Sequence, residues 1–344
     1  MRTPSSLLLA CAVGAGCAKP STPASPTAFA DWRQPPSSRI GATAVALAYS
    51  GYREGQHPDR GNGEVLPSLE QTREDLQLLV ARGYRLIRLY DSGAQSQQVL
   101  RVIAEDGLPL TVMLGAWLQA EVSNHEGCEW LTEPIPEAEL AANTTINAAE
   151  VARAIALAQA HPETIVAVNV GNEALVSWND HMVTVDDLLA YVRQVQDAID
   201  QPVSTADNYV IYVDEAAKLR AVLDFAMVHT YPQWEGKTID EAMPYTLENL
   251  AAVHSAMPEL PLAVGEAGWA SAASEFGERA NEADQARYTT ELTEWAERAN
   301  VTTFVFEAFD EPWKGNPNDP MGAEKHWGLY TVDRKPKQVL RDRD

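Results

Sequence analysis

Beyond its first seventeen residues the 344-residue sequence holds a single cysteine, Cys128, so no intramolecular disulfide can brace the body of the chain. The fold must hold by burial, and a chain of this length with 45% hydrophobic residues can bury one large core. Positive charge is scarce as well. The 26 Lys and Arg face 49 Asp and Glu, for a formal charge of -23. Such a surface repels polyphosphates and has no basic stripe for counterion release, which argues against nucleic acid as a partner and disfavours anionic polymers. A neutral glycan meets no such barrier. Cys128 lies in Asn124-His125-Glu126-Gly127-Cys128-Glu129, a spacing that fits no familiar metal-ligand pattern. A partly buried thiol is expected there, with no metal and no cofactor.

The N-terminus carries Arg2, the apolar stretch Leu7 to Gly16, and small residues ahead of Cys17, which is the order of a secretory signal. The stretch is too short to span a membrane, since roughly twenty apolar residues are needed. Cys17 precedes a Pro/Ser/Thr-rich run from Ala18 to Thr27, and together they resemble a bacterial lipobox cysteine followed by a tether. Leu8-Leu9-Ala10-Cys11 is a competing lipobox, and Ala28-Phe29-Ala30 would suit an ordinary signal peptidase that leaves Asp31 first. The expected organisation is a signal over residues 1–17, a tether over 18–38 and a catalytic domain over 39–344. The expected product is an exported monomer that touches membrane only through its lipid, anchored to the outer membrane or otherwise secreted.

From Ile40 onward, short β-branched runs alternate with amphipathic stretches, the rhythm of βα units around a parallel sheet. Eight runs can be counted: Ala42 to Tyr49, Leu86 to Tyr90, Leu110 to Leu114, Ile165 to Val170, Val203 to Ala206, Phe225 to His229, Leu262 to Gly265 and Thr303 to Phe306. Several are apolar on successive residues, so both faces are expected to be buried. The pairs Ser68 and Gln71, Asn147 and Glu150, and Thr238 and Glu241 read as N-caps with their N3 partners. Eight strands with interleaved helices favour an α/β fold of the (β/α)8 TIM-barrel type, as a single domain, over a doubly wound sheet.

In such a barrel the chemistry lies at the C-terminal ends of the strands. Polar groups gather there in Arg88-Leu89-Tyr90-Asp91, Gly171-Asn172-Glu173, His229-Thr230-Tyr231, Gly265-Glu266 and the segment from Glu307 to Lys314. Burying an unpaired charge costs several kcal/mol, so a merely structural barrel has no need of carboxylates at that rim. Glu173 follows the fourth run and Glu266 the seventh, on opposite sides of the mouth. Two carboxyl groups about 5 to 5.5 Å apart are what a retaining glycosidase uses, one to attack the anomeric carbon and one to protonate the leaving oxygen. A strand-end Glu taken alone is as readily a salt-bridge partner.

Motifs spread along the chain resemble glycoside hydrolase family 17, the β-1,3-glucanase and glucan transferase family of the retaining (β/α)8 clan. They are Tyr49-Ser50-Gly51-Tyr52, Ile87-Arg88-Leu89-Tyr90-Asp91, Val170-Gly171-Asn172-Glu173, Thr230-Tyr231-Pro232, Gly265-Glu266-Ala267-Gly268-Trp269, Phe306-Glu307-Ala308-Phe309-Asp310-Glu311-Pro312-Trp313-Lys314 and Trp327-Gly328-Leu329. Ala270 departs from the pattern, where many members have Pro. The resemblance implies that Glu173 is the general acid/base, Glu266 the nucleophile, and Asn172 the partner of the sugar 2-hydroxyl. It further implies that Tyr231 donates to Glu266, and that Glu311, Lys314 and Glu324 set the charge balance around the pair. Beside an ionised Glu266, the resting pKa of Glu173 is expected to be raised.

Sugar rings offer apolar faces to aromatic platforms, and Trp117, Trp130, Trp178, Trp234, Trp269, Trp313 and Trp327 fall in or near strand-end loops. Tyr49 and Tyr90 are expected to face inward as subsite residues, in a cleft whose polar lining includes Arg88, Asp91 and Glu307. The expected reaction is endo-hydrolysis of a neutral, laminarin-type β-1,3-glucan. Transfer to an acceptor sugar uses the same residues, and a glycan-binding lipoprotein with a dead barrel is a further reading. A binder has no need of a paired acid and nucleophile.

Overall fold

A computed structural model describes residues 29–59, 63–129 and 131–341. Eight strands run in parallel and close on themselves: β1 (Val45–Ala48), β2 (Leu86–Arg88), β3 (Thr111–Ala116), β4 (Ile165–Asn172), β5 (Val203–Asn208), β6 (Ala226–Thr230), β7 (Leu262–Ala267) and β8 (Thr302–Val305). The pairing of β1 with β8 completes the barrel. Each strand lies within a residue or two of its expected run except β1. There a 3-10 turn at Ile40–Ala42 delays the start to Val45. Among the described residues the α-helices are α1 (Leu69–Ala81), α2 (Ala94–Asp106), α3 (Glu137–Ala160), α4 (Val185–Gln196), α5 (Tyr209–Asp214), α6 (Ala216–Leu219), α7 (Ile239–Ala256), α8 (Glu282–Ala299) and α9 (Gln338–Arg341).

Strand side chains alternate between two cores. Those pointing inward fill the barrel's interior with small and large residues interleaved, among them Ala46, Leu86, Met113, Ala167, Met227 and Phe304. Those pointing outward, such as Leu47, Val168 and Val264, meet the apolar stripes of the helices. Helices α1 and α7 begin with the expected capping boxes, Ser68 with Gln71 and Thr238 with Glu241. Asn147 and Glu150 do not start a helix, because α3 begins ten residues earlier behind Pro136. Their side chains reach the barrel rim instead. Asn147 holds the backbone of Gln119, and Glu150 accepts the N–H of Ser92.

The lipobox and the cysteines Cys11 and Cys17 lie outside the described residues. The expected tether is shortened from its C-terminal side. Phe29 is buried, stacked on Trp32 at 4.8 Å and tilted against Trp295, while Gln34 bonds the backbone of Leu262 in both directions. Residues 29–38 therefore belong to the folded body.

Three strand pairs slip in register near the rim, and the slips aim the side chains of the site. Between β4 and β5, Asn169 pairs with Ser204 but Asn172 with Ala206, so β4 carries one extra residue. Between β6 and β7, Val228 pairs with Val264 and His229 with Glu266, which leaves Gly265 over. The pairing of β7 with β8 slips in the same stretch. Such bulges re-aim side chains at barrel rims. Gly171 at φ 75 relieves the first, and Gly265 leaves room for the second, since a Cβ there would press on His229 at 3.0 Å. The glycines of Gly-Asn-Glu and Gly-Glu are thus local necessities of the turned strand ends.

Candidate active site

Arg88, at the end of β2, is buried in the mouth and organises it. Its Nη1 donates to Glu266 Oε1 at 2.9 Å, to Gly265 O at 2.9 Å and to His229 Nε2 at 3.1 Å, while Nη2 donates to Asn172 Oδ1 at 2.5 Å. A guanidinium can only donate. His229 Nε2 therefore carries the lone pair and Nδ1 the proton, and Nδ1–H donates to Glu173 Oε1 at 3.0 Å. The same argument turns the amide NH2 of Asn172 away from Arg88, free to meet a ligand.

Glu266, on the bulged end of β7, receives a second and a third donor. Tyr90 Oη donates to Oε1 at 2.9 Å and Tyr231 Oη to Oε2 at 2.5 Å. Burial, and next the charge of Glu266, push both phenols well above their usual pKa, so both remain donors. Glu173 stands opposite, in the left-handed region at φ 47, with Asn179 Nδ2 donating to its Oε2 at 3.1 Å. Ligand atoms of Glu173, His229 and Glu266 all lie within 4.8 Å of one another.

That spacing would suit a chelated cation, but the donor set does not. Nδ1 of His229 is protonated, Nε2 is taken by Arg88, and Glu266 is already matched by a guanidinium and two phenols. A metal would have to displace each of these.

The expected rise in the Glu173 pKa is corrected. Burial does push its carboxyl up, but the hydrogen bond and electrostatic pull of His229, together with Asn179, outweigh it and hold the group below the ordinary value. His229 is the functional residue the sequence reading missed as a site residue. It had appeared only as the polar end of the sixth run.

A second charged group lies below the loop after β8. Lys314 Nζ bonds Glu307 Oε2 at 3.0 Å and Glu311 Oε2 at 2.5 Å, and stands 4.5 Å from the centre of the Phe306 ring. Burial and the adjacent Glu311 drive the Glu307 carboxyl well up, while the two carboxyls raise the pKa of Lys314. Glu324 sits at the edge of this group. Burial raises it to about 7 against the pull of Lys314, and the charges of Glu173 and Glu266 add to the rise.

Three expected site residues have other work. Tyr49 is buried in the strand–helix core, its ring edge-on to Phe309 and its hydroxyl 3.4 Å from Asp75 Oδ2. It follows inward-facing Ala48 and so points outward. Trp269 is 1% exposed, with Nε1 donating to Arg279 O, so no sugar can stack on it. Asp91 turns back on its own loop and accepts from Gly93 N and Ser96 Oγ at the start of α2. Trp327 is likewise buried, packed edge-on against Tyr231 at 5.2 Å. Trp130 lies outside the described residues.

Four indoles keep exposed faces around the mouth. Trp117 lies tilted against His181, whose Nε2 contacts Asn172 O. Trp178 is 46% exposed next to Asn179, and Trp234 is 45% exposed against Phe276. Trp313 leans on Tyr52 and donates to Glu311.

Comparison with known proteins agrees with this geometry. The chain is 26% identical over 283 residues to a glucan 1,3-beta-glucosidase of Arthroderma benhamiae, covering 77% of this chain and 82% of that one. An endo-laminarinase from Formosa superposes with a TM-score of 0.74 at 28% identity, over 87% of this chain and 86% of that chain. A glycoside hydrolase family 17 beta-1,3-glucanosyltransferase from Rhizomucor miehei shares the fold, with a TM-score of 0.65 at 21% identity over 89% and 97%. Residues 46–328, which hold every strand of the barrel but the first residue of β1 and both facing carboxylates, match the family model described as the BtgE/BtgC glycoside hydrolase domain, and the chain is a member of that family of glycosidases.

Proposed function

We propose that the protein cleaves β-1,3-glucan of the laminarin type internally and with retention, through a glycosyl-enzyme on Glu266. The observation that carries this reading is the pair of carboxylates, within 4.8 Å of one another, in unlike surroundings. Inverting enzymes need roughly 6.5 to 9.5 Å to admit a water between the two. Glu266, aimed by three donors, attacks the anomeric carbon. The bond to the leaving oxygen breaks as Glu173 delivers its proton to that oxygen. Glu173, now ionised, takes a proton from water, whose oxygen attacks the same carbon and releases Glu266.

For the first step Glu173 must hold a proton. A bound sugar displaces water and deepens burial, the largest influence on this residue and one that favours protonation. The Asn172 amide is oriented to donate to the 2-hydroxyl, an interaction that strengthens in the transition state. The Glu307, Glu311, Lys314 and Glu324 group lies near enough to tune both carboxylates electrostatically.

Exposed Trp178, adjacent to the Asn179 that holds Glu173, favours a second outcome, because an acceptor sugar stacked there would compete with water. Reaction of laminari-oligosaccharides, followed by chromatography and NMR, tests the proposal. Shortened products with first-formed β-anomers are expected. Elongated products would make the enzyme a transferase, and α-anomers would exclude double displacement. In Glu266→Ala, activity should fall roughly 10⁵-fold, and azide should restore it as the α-glycosyl azide.

The protein's setting is proposed on the same footing: an exported monomer tethered by an acylated Cys17. Burial of Phe29 supports a cut upstream of that residue over one after Ala30.

A further inference from the structure

Asp207 has no part in the mechanism above, yet it is a carboxylate buried completely within β5, behind Glu173. Among the described residues its two oxygens accept two backbone N–H groups: Leu175 N to Oδ2 at 3.0 Å and Asn208 N to Oδ1 at 2.7 Å. Leu175 lies two residues after Glu173. The N–H of Glu173 itself donates to the carbonyl of Ala206, the residue before Asp207, at 2.8 Å. Strand β5 therefore grips the chain on both sides of Glu173.

A grip is needed there. A non-glycine residue at φ 47 carries strain of about 1–2 kcal/mol and persists only when its surroundings over-determine it. Asn179 holds the carbonyl and carboxyl of Glu173 from the solvent side. The Val183 N–H holds the Ala174 carbonyl just beyond it, and Asp207 holds the chain there from within the barrel wall. A buried acid at this point is itself unfavourable, since burial and the Glu173 charge both push its pKa well up, so a purely architectural role would be served better by a neutral side chain.

We propose that Asp207 is a positioning residue for the acid/base: by holding the Leu175 N–H it fixes the left-handed turn at Glu173 and thereby aims the Glu173 carboxyl at the leaving oxygen. The inference rests on the assignment of Glu173 as acid/base, and its test separates the two.

A misaimed acid matters only when the leaving group needs a proton. Asp207→Ala, Asp207→Asn and Glu173→Ala are compared by kcat/KM on a laminari-oligosaccharide and on a dinitrophenyl β-laminaribioside. Asp207→Ala is expected to lose about 10²-fold on the oligosaccharide and less than about threefold on the activated glycoside. Asp207→Asn, which keeps one acceptor oxygen, should fall between it and the native protein. Equal losses on both substrates, or no loss, would overturn the proposal. An activated 2-deoxy-2-fluoro glycoside counts folded sites, because Glu266 is untouched. Stoichiometric labelling of both variants is expected, and failure of both to label would make Asp207 a determinant of folding instead. Should Glu173→Ala itself lose equally on both substrates, the acid/base assignment falls, whatever Asp207 does.

Discussion

The Nδ1–H of His229 donates to Glu173 Oε1 across 3.0 Å, so the imidazole holds the Glu173 carboxylate by the same proton that Arg88 forces onto that nitrogen. This contact opposes burial at Glu173, and together with Asn179 outweighs it. In the proposed reaction Glu173 carries a proton in the first step, so kcat/KM is expected to fall as pH rises through its pKa. Removing the donor leaves Asn179 and His181 as the remaining opposition to burial. His229→Ala is therefore expected to move the alkaline limb of the kcat/KM profile to higher pH, with a loss at the optimum of roughly 10 to 100-fold. A limb that stays in place would show that His229 does not govern Glu173.

Tyr231→Phe removes one donor from Glu266 and keeps the ring that packs on Trp327. A hydrogen bond to a charged group contributes about 1.5 to 3 kcal/mol, so kcat/KM should drop about 10 to 150-fold. Circular dichroism should be unchanged. A loss below about threefold would mean that Tyr90 and Arg88 suffice to hold Glu266.

Glu324 offers a pH test of stability. Its folded pKa, about 7, lies above the ordinary 4.5, so the folded state binds the proton more tightly. The stability this contributes is fully present below pH 4.5 and is lost as pH rises through 7. Glu324→Gln should therefore unfold at the same temperature as the native protein near pH 4.5 and at a higher one at pH 8. The gain is at most about 3 kcal/mol. Scanning calorimetry at both pH values decides it, and an equal difference at the two would remove Glu324 as the source.

Phe29→Ala should destabilise the protein by roughly 3 kcal/mol, as for other buried aromatics, with little change in KM because the cluster lies on the outer helices. A chain beginning at Asp31 should show at least that loss. Chemical denaturation of the two would measure it, and unchanged midpoints would reopen Ala30 as a processing site.

Much of this was legible in the linear sequence because β runs with carboxylates at their C-terminal ends carry position and chemistry together. Glu173, Glu266, Arg88, Tyr90, Asn172 and Tyr231 meet at one mouth for that reason. Tyr49 was misread although its phase was available: Ala46 and Ala48 face inward, so the residue after them faces the helices. Trp269 and Trp327 were misread because an indole that braces a loop and one that awaits a sugar have the same local context. His229 was hidden more deeply. Its role depends on Arg88 reaching across from β2, a contact 141 residues distant in the chain.

The supernumerary residues in β4 and β7 make catalysis separable from architecture by the smallest possible lesion. Side chains along a strand alternate in direction, so excising Gly171 or Gly265 would restore regular pairing while swinging the following carboxylate from the lumen toward the helices. The eight-stranded wall and its ring of indoles would survive. On the proposed mechanism, a single codon deletion is expected to leave a glycan-holding protein without turnover, and deletion scanning through those two glycines is the direct route to it.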